Sequence, residues 1–128
     1  MKILVIDDNP KLRLLYQEEF EEEGCEVRAA ENARKALAMI DAERPDVVIL
    51  DICIPGMDGI EALGKIMAKD KTIRVVINTA FSSFKENFMT WTADSYVVKS
   101  GDLTELKRRV FEAYGSKEMA CSSDEVHS

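Results

Sequence analysis

Short apolar runs that alternate with helical patterns are the feature that most constrains the fold of this chain. The run Val47–Leu50 is the clearest of them, because its four consecutive apolar residues leave no polar face. A strand of this kind is covered on both sides, which is typical of parallel sheets. The predicted strands are Lys2–Ile6, Cys25–Ala29, Asp46–Leu50, Ile73–Asn78 and Ser95–Val98.

Helices are predicted between the strands from their capping residues. Asn9 and Asn32 are the expected N-caps of the first two helices, with Pro10 in the first turn and Gly24 just past the end of the first helix. The first helix has an apolar stripe that is expected to face inward. That stripe comprises Leu12, Leu15, Tyr16 and Phe20.

The later helices are predicted from two capping boxes. Asp58 with Glu61 and Asp102 with Glu105 have the spacing that begins a third and a fifth helix. A fourth helix is predicted around residues 83–93. Gly115 is the expected end of the fifth helix, so residues 1–115 are predicted to form one domain and residues 116–128 a polar, flexible tail.

Five β-α units predict an α/β fold with helices on both faces of one parallel sheet. We expect a doubly wound (βα)5 arrangement, a five-stranded, flavodoxin-like three-layer sandwich. The length of 128 residues fits a single domain. No internal repeat or interdomain linker is visible in the sequence.

Composition excludes several classes of function. The net charge of −7 argues against a nucleic-acid interface, because such a surface is usually basic. No apolar stretch approaches the ~20 residues of a membrane span. The three cysteines are odd in number and their spacing fits no metal motif, which predicts a reduced, cytoplasmic protein.

Chemically active side chains follow four of the predicted strands. In open α/β sheets, ligands bind beyond the carboxyl ends of the strands. Asp7 and Asp8 follow the first strand, Asp51 the third, Thr79 the fourth and Lys99 the fifth. Each residue alone is also compatible with a turn, a helix cap or a surface charge. Together they predict one site at one edge of the sheet.

The residues at this edge predict phosphoryl chemistry. Three carboxylates require a cation, and a site with oxygen ligands suits Mg²⁺. Asp51 is the best nucleophile because the central strand separates it from the acid pair, and a carboxylate can form an aspartyl-phosphate. Because Asp7 and Asp8 repel each other, neutralising either acid is expected to stabilise the domain when Mg²⁺ is absent.

Four segments carry a resemblance to a known family. They are Ile6-Asp7-Asp8-Asn9, Asp51 to Gly59, Asn78-Thr79-Ala80 and Tyr96-Val97-Val98-Lys99. Over about residues 2–114, the chain resembles the CheY-like receiver domain of two-component response regulators. The resemblance implies the strand order 2-1-3-4-5.

The resemblance also implies individual roles at the site. Asp51 resembles the phosphoacceptor. Asp8, Asp51 and the backbone carbonyl of Cys53 resemble the direct Mg²⁺ ligands, and Asp7 acts through water. Lys99 resembles the residue that pairs with Asp51 and then with the phosphoryl group.

A switch is implied by the same resemblance. The hydroxyl of Thr79 is expected to move to the phosphoryl group, and the ring of Tyr96 to turn inward behind it. Ser100 stands where the family often has a proline after a cis bond, so a trans Lys99–Ser100 bond is expected here. Phe81 borders the phosphoryl group, and we hypothesise that it hinders the attacking water.

The resemblance implies a signalling role rather than that of an enzyme with a separate substrate. A histidine kinase or phosphotransfer protein would be the donor, because His127, the only histidine, lies in the tail. A downstream protein would bind the face made by the fourth helix, fifth strand and fifth helix. The expected state is a monomer or a weak, phosphorylation-dependent dimer, without an output domain.

Three other classes of protein remain as alternatives. A phosphatase of the haloacid dehalogenase type has a second aspartate two residues after its nucleophile, but Asn9 is in that position after Asp7. A flavodoxin-like flavin binder needs a Ser/Thr/Gly loop after the first strand, where this chain has two acids. A pseudo-receiver would bind partners without phosphorylation, and the intact acid set counts against it.

Overall fold

The computed structural model describes residues 1–51, 59–80 and 93–127, with the backbone alone from residue 116. The strands are β1 (Lys2–Ile6), β2 (Glu26–Ala30), β3 (Val47–Leu50), β4 (Arg74–Thr79) and β5 (Ser95–Val98). The described helices are α1 (Pro10–Glu22), α2 (Ala33–Ala42), α3 (Gly59–Lys69) and α4 (Thr104–His127). Helix α4 is therefore the fifth helix of the prediction.

The strands form one parallel sheet in the order β2-β1-β3-β4-β5, which confirms the predicted fold class and strand order. In its register, Leu50 at the end of β3 pairs with Ile6 of β1 and Ile77 of β4. Thr79 at the end of β4 pairs with Val98 of β5. The carboxyl ends of these four strands therefore meet at one edge.

Each face of the sheet packs against a different pair of the described helices. Val48 and Leu50 belong to the apolar cluster that contains residues of α2 and α3. Val47 and Ile49, between them in the sequence, belong to the cluster that contains residues of α1 and α4. All of β3 is buried as a result, which explains its continuous apolar run.

The predicted caps of the first two helices are confirmed. The side chain of Asn9 accepts hydrogen bonds from the backbone N–H groups of Lys11 and Leu12 at the start of α1. Asn32 accepts one from Lys35 at the start of α2. Gly24 follows α1 with a φ of +87°, a left-handed conformation that glycine adopts without strain.

Two details of the predicted helices are wrong. Leu15 is 38% exposed instead of facing the core, because the buried stripe of α1 is carried by Tyr16 and Phe20. The capping box at Asp102 does not form. Glu105 pairs with Arg108 and Arg109, while the Asp102 N–H donates to the hydroxyl of Ser100.

The last helix is also longer than predicted. It continues to His127 rather than ending at Gly115. Among the described glycines only Gly24 has a positive φ, so Gly115 does not adopt the left-handed conformation that commonly ends a helix. The domain boundary at residue 115 stays a prediction.

Some predictions fall outside the described residues. They concern Cys53, Asp58, Phe81 and the helix around residues 83–93. No described peptide bond is cis, which confirms the trans Lys99–Ser100 bond. None of the helices within the described ranges has both the length and the apolar character to span a bilayer.

Candidate functional site

The backbone of the sheet fixes Asp7 and Asp51 at adjacent strand ends. The N–H of Asp51 donates to the carbonyl of Ile6 at 2.9 Å, and the N–H of Asp7 donates to the carbonyl of Ala30 at 3.2 Å. Both aspartates are buried. The turn after β1 is fixed by Arg13, whose guanidinium donates to the carbonyl of Asp7 at 2.7 Å.

Lys99 joins the two buried carboxylates. Its Nζ lies 2.7 Å from Oδ2 of Asp7 and 2.8 Å from Oδ2 of Asp51. Its backbone N–H donates to the carbonyl of Thr79 at 2.7 Å, which extends the pairing of β4 with β5. Burial by itself lowers the pKa of Lys99, but the hydrogen bonds to Asp51 and Asp7 outweigh it, so the pKa is raised. The ammonium is therefore charged at neutral pH.

The acidic residues form a cluster that can hold a metal ion. Asp7, Asp8 and Asp51 each present a carboxylate oxygen, and the three oxygens lie within 4.8 Å of one another. Asp8 is exposed, whereas the other two are buried. With Lys99 as their cation, three carboxylates leave a formal charge of −2, which a divalent ion would balance. Oxygen ligands are those that Mg²⁺ prefers.

Thr79 ends β4, where its carbonyl accepts the Lys99 N–H, and Tyr96 lies on β5 opposite Ile77. Thr79 is fully buried, and its Oγ1 has no hydrogen-bond partner among the described residues. Tyr96 is half-buried and packs against the cluster on the α2/α3 face. A buried hydroxyl gains free energy from a hydrogen bond, so Thr79 is suited to donate to a new acceptor at this strand end.

A buried polar pair near the site was missed by sequence analysis. Nδ2 of Asn78 on β4 donates to the phenol oxygen of Tyr16 on α1 at 2.9 Å. Burial raises the pKa of Tyr16, although the bond from Asn78 opposes this, so the phenol stays neutral. The signal in the sequence was an asparagine that directly follows the apolar run Val75-Val76-Ile77.

The structure brings four of the predicted site residues into one cluster. Asp7, Asp51 and Lys99 are in direct contact, and Asp8 contributes an oxygen to the same cluster. Cys53 lies outside the described residues. The ion pair between Lys99 and Asp7 was not predicted, because the resemblance pointed only to Asp51.

Comparison with known proteins identifies the family. The model of the response regulator receiver domain matches residues 3–111. Sporulation initiation phosphotransferase F of Bacillus subtilis is 48% identical over 80 residues, which are 62% of this chain and 64% of that protein. Chemotaxis protein CheY of Listeria monocytogenes is 41% identical over 81 residues, which are 62% of this chain and 68% of that protein. The chain thus spans just under two thirds of the length of the first relative.

Solved structures agree with this match. The response regulator TrrA from Thermotoga maritima, in complex with Mg(2+)-BeF, is 43% identical with a TM-score of 0.84, covering 88% of this chain and 97% of that one. A complex of TrrA with the histidine kinase ThkA gives 43% identity over the same shares of the two chains, with a TM-score of 0.82. The match of the family model to most of the chain shows that the chain belongs to the response regulator receiver domain family.

Proposed function

We propose that this receiver domain accepts a phosphoryl group on Asp51 within a two-component phosphorelay and thereby switches a protein-binding surface. One observation carries the proposal: the carboxylate of Asp51 is at the end of the central strand, bonded to Lys99 and within 4.8 Å of the oxygens of Asp7 and Asp8. The site has the nucleophile, the cation and the acid cluster that phosphoryl transfer to a carboxylate needs.

The two acids of the first strand end are suited to different roles toward Mg²⁺. Both carboxylate oxygens of Asp7 are engaged, since Oδ1 accepts from the N–H of Asn9 at 2.9 Å and Oδ2 binds Lys99. Asp8 is exposed. This supports a direct contact from Asp8 and a water-mediated one from Asp7. Asp51 and the carbonyl of Cys53 complete the proposed set. When bound, Mg²⁺ would neutralise charge on the transferring phosphoryl group.

The chain's own residues then perform the transfer. A carboxylate oxygen of Asp51 attacks the phosphorus of the donor, so a carboxylate O–P bond forms as the bond to the donor's nitrogen breaks. The ammonium of Lys99 then leaves the Asp51 carboxylate and pairs with an oxygen of the new phosphoryl group. This keeps an ammonium next to the charge at each stage.

The switch begins from the hydroxyl of Thr79, for which the described part of the chain provides no hydrogen-bond partner. A phosphoryl group on Asp51 adds strong acceptor oxygens. The buried Oγ1 of Thr79 would gain a partner by donating to one of them, which favours its movement toward the site. Tyr96, half-buried on the neighbouring strand, would turn into the space behind it. The output face would comprise the segment around residues 83–93, β5 and α4.

The proposed partners are proteins on either side of this step. The phosphoryl donor would be a histidine kinase or phosphotransfer protein, which the structure of TrrA with the kinase ThkA supports. The acceptor of the signal would be a downstream protein on the output face. We propose a cytoplasmic domain, monomeric or weakly dimeric when phosphorylated, with no enzymatic activity beyond phosphorylation and dephosphorylation of its own aspartate.

Labelling by a small phosphodonor tests the proposal. Acetyl phosphate with Mg²⁺ should add one phosphoryl group to the wild-type protein, seen by intact mass spectrometry, and EDTA should prevent it. Asp51→Asn should abolish labelling because the nucleophile is lost. Asp46→Asn, just before the other end of β3, is the matched control and should be labelled normally. Labelling of Asp51→Asn at the wild-type rate would refute the assignment.

A further inference from the structure

The buried pair of Tyr16 and Asn78 lies near the site but has no role in the function proposed so far. Each residue is only 2% exposed. The hydrogen bond joins α1 to β4, the strand that carries Thr79. Asn78 lies one residue before Thr79 on that strand. Buried polar groups keep one orientation when they are paired, because an unpaired state costs free energy.

Extending the register of β3 and β4 by one residue, past the end of β3, places Asp51 next to Asn78. Leu50 pairs with Ile77, so the next residues along the two strands are Asp51 and Asn78. Ile49 and Val76 face α1 and α4, and side chains two residues apart share a face. Both Asp51 and Asn78 therefore lie on that face, on strands about 4.8 Å apart.

Tyr16 determines which hydrogen-bond acceptor the amide of Asn78 binds. A carboxylate is a stronger hydrogen-bond acceptor than a neutral phenol. Without the phenol oxygen, one N–H of the buried amide would lose its acceptor, and the register places the carboxylate of Asp51 beyond the end of the adjacent strand as the nearest charged alternative that the sheet offers. An amide hydrogen bond to that carboxylate would occupy an oxygen lone pair, and attack on phosphorus requires such a lone pair.

We propose that Tyr16 is a positioning residue for phosphorylation, because it holds the amide of Asn78 against α1 and keeps that amide off the carboxylate of Asp51. This inference rests on the proposed function of Asp51. The reactivity of the Asp51 nucleophile would thus be controlled by a residue of α1. That residue belongs neither to the acid cluster nor to the switch.

A double-mutant cycle tests the inference through the rate of labelling by acetyl phosphate at saturating Mg²⁺. Tyr16→Phe should lower the maximal rate about tenfold, the effect of one charge-assisted hydrogen bond on the reacting group. In the Asn78→Leu background, Tyr16→Phe should have no effect, because no amide is left to misplace. Tyr114→Phe, which removes a hydroxyl from the same layer, is the control and should keep the wild-type rate.

The outcomes separate this inference from the proposed function. All rates are compared at a temperature where circular dichroism shows each variant folded. A wild-type rate for Tyr16→Phe, or a loss that persists in the Asn78→Leu background, would overturn the role of Tyr16 while Asp51 remains the phosphoacceptor. Absence of labelling in the wild-type protein would overturn both.

A measurement on the wild-type protein covers the case in which Tyr16→Phe does not fold. The side-chain amide protons of Asn78 should exchange slowly with solvent, since they are buried and bonded to Tyr16. Beryllium fluoride with Mg²⁺, a mimic of the phosphoryl group, should leave that protection unchanged in NMR spectra. Loss of protection on adding the mimic would show that the amide leaves Tyr16, and would overturn the inference.

Discussion

The buried charges of the site are balanced residue by residue. Lys99 contacts Asp7 and Asp51 at once, so the repulsion expected within the acid pair is relieved for Asp7 before any metal binds. Asp8 is exposed, and water screens its charge. Neutralising Asp7 and neutralising Asp8 are therefore expected to have different effects on the stability of the domain.

Asp7→Asn should destabilise the domain in EDTA, whereas Asp8→Asn should not. The first substitution removes one of two buried partners of Lys99 and should lower the free energy of unfolding by about 2 kcal/mol, the value of one hydrogen bond to a charged group. The second removes an exposed charge next to another acid and should raise it by up to about 0.5 kcal/mol. Guanidinium titrations in EDTA measure both values.

Mg²⁺ provides the control for this pair of variants. Because a ligand of the native state stabilises it, Mg²⁺ should raise the free energy of unfolding of the wild-type protein. It should do so less for Asp8→Asn, which lacks a proposed direct ligand. Equal gains in EDTA from both substitutions would contradict the bridging role of Lys99.

The residues at the strand ends were predictable, but their pairings were not. Position along the chain places Asp7, Asp51 and Lys99 at one edge of a parallel sheet, as the structure confirms. The bond between Tyr16 and Asn78 spans 62 positions and depends on the angle at which α1 packs. Such a bond leaves no pattern in the sequence beyond an isolated polar residue at the end of an apolar run.

Local chemistry decided which elements were predicted well. The caps Asn9 and Asn32 act within their own helical turn, so sequence spacing is sufficient to find them. The capping box at Asp102 failed because Arg108 and Arg109 compete for Glu105 on the helix surface. That competition involves side-chain geometry, which the four-residue pattern does not contain.

The connection before β4 predicts a specific dependence on pH. Asp70 accepts hydrogen bonds from the hydroxyl and the N–H of Thr72 and from Arg44, which lower its pKa to about 2. Arg44 also donates to the hydroxyl of Thr72. The folded pKa lies below the ordinary value of 3.8, so this stabilisation is complete above pH 3.8 and is lost as pH falls toward 2.

Asp70→Asn should therefore differ from the wild-type protein in a pH-dependent way. The difference in free energy of unfolding should be constant near neutral pH and should shrink between pH 4 and pH 2. Denaturant titrations across pH 2–7 measure it. Asp41→Asn, at the exposed ion pair with Lys69, is the matched control. A difference that does not change below pH 4 would show that Asp70 has no lowered pKa in the folded state.

At the scale of the whole molecule, the strand order concentrates function at one edge. The order β2-β1-β3-β4-β5 puts β3 in the centre, so Asp51 has a residue of the site on each neighbouring strand. Continuous apolar runs required a sheet covered on both faces, which is why the fold class could be predicted. The extent of the last helix could not, because the sequence does not show whether Gly115 adopts the left-handed conformation in which a glycine commonly ends a helix.

Removing residues 116–128 should leave the domain folded and active. In the part of α4 whose side chains are described, up to Gly115, the buried residues extend from Leu106 to Ala113, and the family match ends at residue 111. From Thr104 to Gly115 the helix rises about 18 Å, comparable to the length of a five-residue strand, and residues 116–127 add about as much again. The part of α4 up to Gly115 is therefore already as long as the strands that it packs against.

The truncated protein should keep its free energy of unfolding within about 0.5 kcal/mol and be labelled by acetyl phosphate at the wild-type rate. Leu106→Ala in the full chain shows that the assay detects α4 packing, since loss of this buried side chain should cost about 2–5 kcal/mol. A loss on truncation comparable to that of Leu106→Ala would move the domain boundary past residue 115 and make the last turns of α4 part of the folded core.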